Sequence, residues 1–258
     1  MPFPYQRVFE QIEESLIQYG SRRIPETDIR SAFDVYKTFA DRELTDDLCF
    51  SILLNVVFYS GFRAATVTAR MEAISHCFPN WHAVSDYQDD DVTAIMTYPG
   101  MIRNKRKILA TIENAKVMKQ LIEVHGSLAH YIASFTPKDS FENLLLLKEE
   151  LEARFQYLGE VTVYHFLTDI GMPVLKPDRV ICRIFNRLGL TETEGQLLKT
   201  VIQGRKFAEA TELPIRYIDI IFVAYGQMQS LEFGIDRGIC LKEPRCHECG
   251  VKEFCHFN

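Results

Sequence analysis

Apolar residues recur at three- to four-residue spacing through most of this chain, and that periodicity restricts what it can fold into more than any other feature. Val8–Ile12–Leu16, Ile52–Val56–Tyr59 and Ile108–Ile112–Ala115 each set an apolar stripe on one face of a helix. Short turns punctuate the pattern: Phe78-Pro79-Asn80, Tyr98-Pro99-Gly100, Thr136-Pro137, Gly171-Met172-Pro173 and Lys176-Pro177. Asp89-Asp90-Asp91 reads as the acidic start of a helix running to about Met96, where carboxylates complement the helix dipole. No segment reads as a strand domain, and no repeat or low-complexity stretch interrupts the chain. The expectation is an all-α protein of many short helices.

With 258 residues, 47% of them hydrophobic, the chain can bury one large core or two smaller ones. The longest apolar run, Ser51 to Phe58, falls far short of the ~18 residues a membrane span requires. The N-terminus has no apolar signal core and bears acids early. Together these give the expectation of a soluble cytoplasmic protein with no membrane partner. The net charge of −6 speaks against nucleic acid only at long range, because binding depends on a local basic patch.

Seven cysteines are unevenly placed. Cys49, Cys77 and Cys182 sit in apolar surroundings and read as buried free thiols. The other four form Cys240-x5-Cys246-x2-Cys249-x5-Cys255. Thiolates this close repel one another unless a metal centre neutralises them. A single zinc ion favours two tight pairs separated by a longer loop. Here only the middle pair is tight, which suits a 4Fe–4S cubane, whose ligands are spread more widely. Zinc with His247 and His256 replacing two thiolates stays open, as do four unligated thiols.

Between Phe155 and Val174 the chain reads as a helical hairpin. A charged helix from Glu149 to Arg154 leads into Tyr157-Leu158-Gly159, and a second helix runs from about Val161 to Ile170, with Gly171 as its C-cap. Backbone N–H groups in such a turn can hold a phosphate, although an ordinary α-hairpin has the same appearance. Pro177 then holds Lys176 extended, and Asp178 stands where a helix begins, as an N-cap or as a carboxylate aimed into a cleft.

These segments resemble the endonuclease III type of helix-hairpin-helix DNA glycosylases. That family has an L-x-G-x-G hairpin, a helix, Gly-x-Pro, a short link and an aspartate. Here Leu158, Gly171-Met172-Pro173 and Asp178 follow in that order, and the four cysteines come after them. Family members usually have six residues between the first two cysteines, and this chain has five. Gly100-Met101-Ile102-Arg103-Asn104-Lys105-Arg106-Lys107-Ile108 is similar to the family's G-x-x-x-x-K-A-x-x-I. It also resembles Gly-Ile-Ile-Arg-x-x-x-Lys-Ile of the DNA-3-methyladenine glycosylase I family, whose E-G-F-Q-A-G and F-x-F-V-G segments are echoed by Ser60-Gly61-Phe62-Arg63-Ala64-Ala65 and Phe155-Gln156-Tyr157-Leu158-Gly159.

The resemblance spans roughly residues 50 to 258 and implies a two-lobed, all-α helix-hairpin-helix glycosylase fold with a C-terminal 4Fe–4S cluster loop. One lobe would cover 50–170. The other would join 1–49 to 171–258, with the cluster loop at 240–255 held by Cys240, Cys246, Cys249 and Cys255. Double-stranded DNA would lie between the lobes, bound by Leu158 and Gly159 of the hairpin and by the basic run Arg103, Lys105, Arg106 and Lys107, continued by Lys116 and Lys119. The damaged base would flip into a pocket near Tyr59, Ser60, Phe62, Arg63 and Glu160, with Trp81 a further candidate. Asp178 would be catalytic. Bifunctional members attack the sugar with a lysine, and the matching position here is Glu160, which cannot form an imine. Ser60 stands where the methyladenine relative has a glutamate, so the particular base stays open, with alkylated purines as the implied class.

The resulting expectation is a monomeric, monofunctional base-excision-repair glycosylase working at a bacterial or archaeal nucleoid. The alternatives are an iron–sulfur DNA-binding protein without activity and a zinc-stabilised helical interaction protein.

Overall fold

The computed structural model describes residues 2–257. The α-helices among them are α1 (Tyr5–Gly20), α2 (Glu26–Asp34), α3 (Asp46–Tyr59), α4 (Ala64–Thr68), α5 (Met71–Cys77), α6 (Trp81–Ser85), α7 (Asp89–Thr97), α8 (Lys105–His125), α9 (Leu128–Ser134), α10 (Phe141–Arg154), α11 (Thr162–Asp169), α12 (Arg179–Arg187), α13 (Leu197–Thr211) and α14 (Ile215–Gly226). The only β pairing among the described residues is a single bridge between Ser230 and Ile235. The all-helical expectation therefore holds. No helix among them is long and apolar enough to cross a membrane.

Local chemistry sets the helix ends. Thr45 caps α3 by accepting from Leu48 N–H at 3.2 Å, and Asn104 caps α8 by accepting from Lys107 N–H at 3.2 Å. At α7, the Asp91 carboxylate reaches back to Gln88 N–H at 2.8 Å, so the acidic triplet does open a helix. Helix α10 begins at Phe141, well before the expected Glu149, because Ser140 accepts from Asn143 N–H at 3.1 Å and Leu144, Leu147 and Leu151 line a buried stripe.

The chain divides into two compact units. One comprises Glu43–Met172; the other joins the chain up to Arg42 with the chain from Pro173 onward. The Glu43–Met172 unit holds α3 to α11. Its core includes Phe58 against Phe78, with ring centroids 5.8 Å apart, together with Ile108, Met118, Leu147 and Phe166. In the other unit, Phe222 meets Phe185 and Phe207 edge-on, each at 4.9 Å, and Phe9, Phe33 and Val251 are buried in the same cluster. Such edge-to-face pairs add to area burial.

Candidate functional site

In the Glu43–Met172 unit, α10 and α11 form a hairpin whose turn is tightly specified. Asn114 of α8 clamps it from both sides: Nδ2 donates to Gln156 O at 2.9 Å, and Gln156 N–H donates to Oδ1 at 2.7 Å. Thr162 Oγ1 donates to Tyr157 O at 2.6 Å and accepts from Gly159 N–H at 2.8 Å. These bonds hold Tyr157 at φ +65°, a left-handed conformation that costs a bulky residue energy and persists only where neighbours enforce it. Helix α11 ends as the sequence indicated: Gly171 turns at φ +82°, and Met172 N–H donates to Leu167 O at 2.9 Å.

Both residues of this turn expected to contact DNA have partners within the turn. Leu158 is buried as the turn's apolar anchor, and its N–H donates to Phe155 O at 3.4 Å. Gly159 is exposed, but Thr162 already accepts from its N–H. The N–H groups of Glu160 and Val161, just ahead of α11, have no acceptor among the described residues.

The segment after α3 turns sharply at Gly61, at φ +73°. Tyr59 OH pairs with Thr68 Oγ1 at 2.9 Å, Phe62 is partly exposed, and Arg63 is exposed at the start of α4. Beside Phe62 lies a cavity of about 560 Å³ lined also by Thr66, Arg70, Tyr98, Arg103 and Asn104. Of the expected pocket residues only Phe62 lines it; Tyr59, Ser60, Arg63 and Glu160 do not. Trp81 stands at the start of α6 against His82. Arg70 entered no sequence motif; it joins the cavity through the fold, donating to Gly100 O at 3.1 Å.

The basic run splits by exposure. Arg103, Lys105 and Arg106 are exposed and have no carboxylate partner among the described residues. Lys116 and Lys119, expected to extend the patch, pair with Glu113 and Asp86, each at 2.8 Å, and add no free charge. Lys107 is 3% exposed, so it cannot reach a phosphate. Its Nζ donates to Ser60 O at 2.7 Å and to Val57 O. It also lies over the rings of Tyr157 and Phe62, 4.6 and 5.2 Å from their centroids. Burial pushes its ammonium down to about 8.

In the other unit, Asp178 caps α12. Its Oδ1 accepts from Val180 and Ile181 N–H at 2.8 and 3.0 Å, and its Oδ2 lies 3.6 Å from Lys176 Nζ. Asp219, fully enclosed, accepts from Lys176 N–H at 3.0 Å and from Arg216 at 2.5 Å. Burial raises the Asp219 pKa, while Arg216 and Lys176 oppose the rise. The backbone carrying Asp178 is thus pinned from α14.

Two of the four C-terminal cysteines, Cys240 and Cys249, meet hydrogen-bond donors. Arg187 donates to Cys240 Sγ at 3.3 Å and to Leu241 O and Lys242 O at 2.5 and 2.8 Å. Tyr225 OH donates to Cys249 Sγ at 3.1 Å. Donors aimed at sulfur suit thiolate ligands. Among the described residues, however, no three His, Cys, Asp or Glu side chains gather to hold a single metal ion. His247 is exposed, and the His256 ring lies beside Gly189.

The methyladenine glycosylase family model matches residues 36–176, more than half of the chain, and the chain belongs to that family. It is a DNA glycosylase of base excision repair, a hydrolase acting on alkylated purines. The match takes in α3 to α11 and ends before Asp178 and the four C-terminal cysteines. Among solved structures, the chain is similar to 3-methyladenine DNA glycosylase I from Staphylococcus aureus, at 20% identity over 52% of this chain and 83% of that one, with a TM-score of 0.44. It is also similar to the 8-oxoguanine DNA glycosylase of Thermotoga maritima, at 16% identity over 83% of this chain and 95% of that one, with a TM-score of 0.50. The second likeness speaks to the fold alone.

Proposed function

We propose that the protein, acting as a monomer on double-stranded DNA, hydrolyses the N-glycosidic bond of a flipped alkylated purine and leaves the strand intact. The observation that carries this reading is the burial of Lys107, the lysine packed against the hairpin. Glu160 stands where a bifunctional enzyme of the endonuclease III type would have its lysine. The lysine packed against the turn, Lys107, is buried with its hydrogens on two carbonyls. An imine needs an accessible, unprotonated amine, and a carboxylate cannot form one.

The remaining parts have separate tasks. Arg103, Lys105 and Arg106 neutralise backbone phosphates, and the free N–H groups of Glu160 and Val161 receive another. Asp178 faces the positive charge that builds on the sugar as the base departs, and orients the attacking water. Cys240, Cys246, Cys249 and Cys255 hold a 4Fe–4S cluster whose contribution is structural: it ties the C-terminal loop to the unit that bears Asp178. The donors from Arg187 and Tyr225 to two of the sulfurs support this reading.

Borohydride and alkali test the reaction class. With alkylated duplex DNA, the enzyme should release free base and leave an abasic strand that breaks only when alkali is added. Borohydride should trap no covalent adduct. An adduct would show that an amine attacks the sugar and would overturn the hydrolytic reading.

A further inference from the structure

Helix α8 buries a polar stripe. Lys107, Thr111 and Asn114 lie one and two turns apart on one face, exposed by 3%, 1% and 1%. Buried polar groups persist where each finds a partner. Thr111 returns its hydroxyl to Lys107 O at 2.9 Å, within the helix. The other two reach outward to different segments: Asn114 to the hairpin turn at Gln156, Lys107 to the end of α3 and the turn that follows it.

The end of a helix leaves carbonyls without intrahelical partners and carries the negative end of its dipole. At α3 two such carbonyls, Val57 O and Ser60 O, accept from the one Lys107 ammonium. That fixes the chain immediately before Gly61, and so the direction in which Phe62 leaves toward the cavity. The same ammonium lies over the ring of Tyr157, the residue held left-handed in the hairpin, and over that of Phe62 itself. A cation between two ring faces is attracted to both.

We infer that Lys107 is a positioning residue for base release: its buried ammonium fixes the Val57–Phe62 turn and Tyr157 relative to each other, so that the hairpin and the cavity wall act as one rigid body. It touches neither substrate nor reacting atoms. Removing it should leave the exposed cations and the hairpin's N–H groups in place. DNA should still bind, but the base should be held in the wrong place.

The test is Lys107→Met, which keeps most of the apolar stem and removes the charge and donors. Melting temperature, affinity for an abasic-site duplex and the single-turnover rate of base release at saturating enzyme are read together. Because small misplacements far from the chemistry can cost up to about a hundredfold, the rate should fall about tenfold or more. Affinity, set by phosphate contacts that Lys107 does not make, should change by less than about threefold. If K107M does not fold, Lys107→Gln takes its place; its amide keeps two N–H donors without the charge, and its rate should lie between the two extremes. A wild-type rate in the folded variant would overturn the proposal. So would a loss of rate matched by an equal loss of affinity, which marks a merely structural role. A borohydride adduct formed by the wild type and absent in K107M would overturn it in another way, by making Lys107 the nucleophile. That last outcome is distinct from failure of the hydrolytic reading through some other amine, where K107M would still be trapped.

Discussion

Asp178→Asn should reduce base release by roughly a hundredfold or more, a loss of about 2.7 kcal/mol of transition-state stabilisation. Asp178 caps α12 and, in the proposed function, also stabilises charge at the sugar. As a cap, Asp178 offers Oδ1 to Val180 and Ile181 N–H. Asparagine keeps that oxygen and caps about as well, so α12 should remain intact and the melting temperature nearly unchanged. The backbone is independently secured, because Asp219 accepts from Lys176 N–H and Lys176 O accepts from Asp178 N–H at 2.8 Å. Only the negative charge disappears. A fixed carboxylate stabilises a developing oxocarbenium ion more than water does, because it needs no reorganisation. Affinity for lesion DNA should hold or improve, since an anion is removed from a phosphate-rich site. Full turnover by the variant in a single-turnover assay would reduce Asp178 to a cap and make Glu160 the next residue to examine.

If the proposed cluster is present, Cys246→Ser and Cys249→Ser should each abolish it and most of the soluble protein. The C-terminal loop is bound into the unit's core by Val251 and by Gly250, whose N–H donates to Ser15 Oγ on α1 at 3.1 Å. A Cβ at Gly250 would meet Ser15 and the Gln11 carbonyl, so the loop fits only in this close approach. Losing one thiolate leaves the others without a neutralising centre, and the loop should detach from α1. Purified wild type should be brown and contain iron and sulfide in equal amounts; the variants should be colourless and largely insoluble. Stoichiometric zinc in protein purified anaerobically from iron-replete cells would contradict the cluster.

Much of this architecture was legible in the sequence because it is local. Asp89–Asp91, Gly171 and the spacing of Val8, Ile12 and Leu16 announce helices through caps and periodicity, and these act within a few residues. The start of α10 was there to be read in Ser140, followed by leucines at 144, 147 and 151. The burial of Lys107 is not legible in the sequence, because a run of cations ordinarily faces water. Its register with Thr111 and Asn114 places it on the buried face of α8, but only the acceptors at the end of α3 explain why a charge belongs there. Leu158 is the opposite case: a residue at a turn looks available, yet this turn is anchored by its side chain. The cavity was the least legible feature. Thr66 and Arg70 come from one stretch of chain and Tyr98 and Asn104 from another, and only the packing of the unit brings the two together.

The central claim is tested most directly by incubating the enzyme with methylated duplex DNA and identifying what is released. Free alkylated purine should appear, 3-methyladenine among the products to be scored, with an unbroken abasic strand, and release should be suppressed in Asp178→Asn. Methylated DNA left intact by folded, cluster-loaded protein that releases only oxidised bases would contradict it.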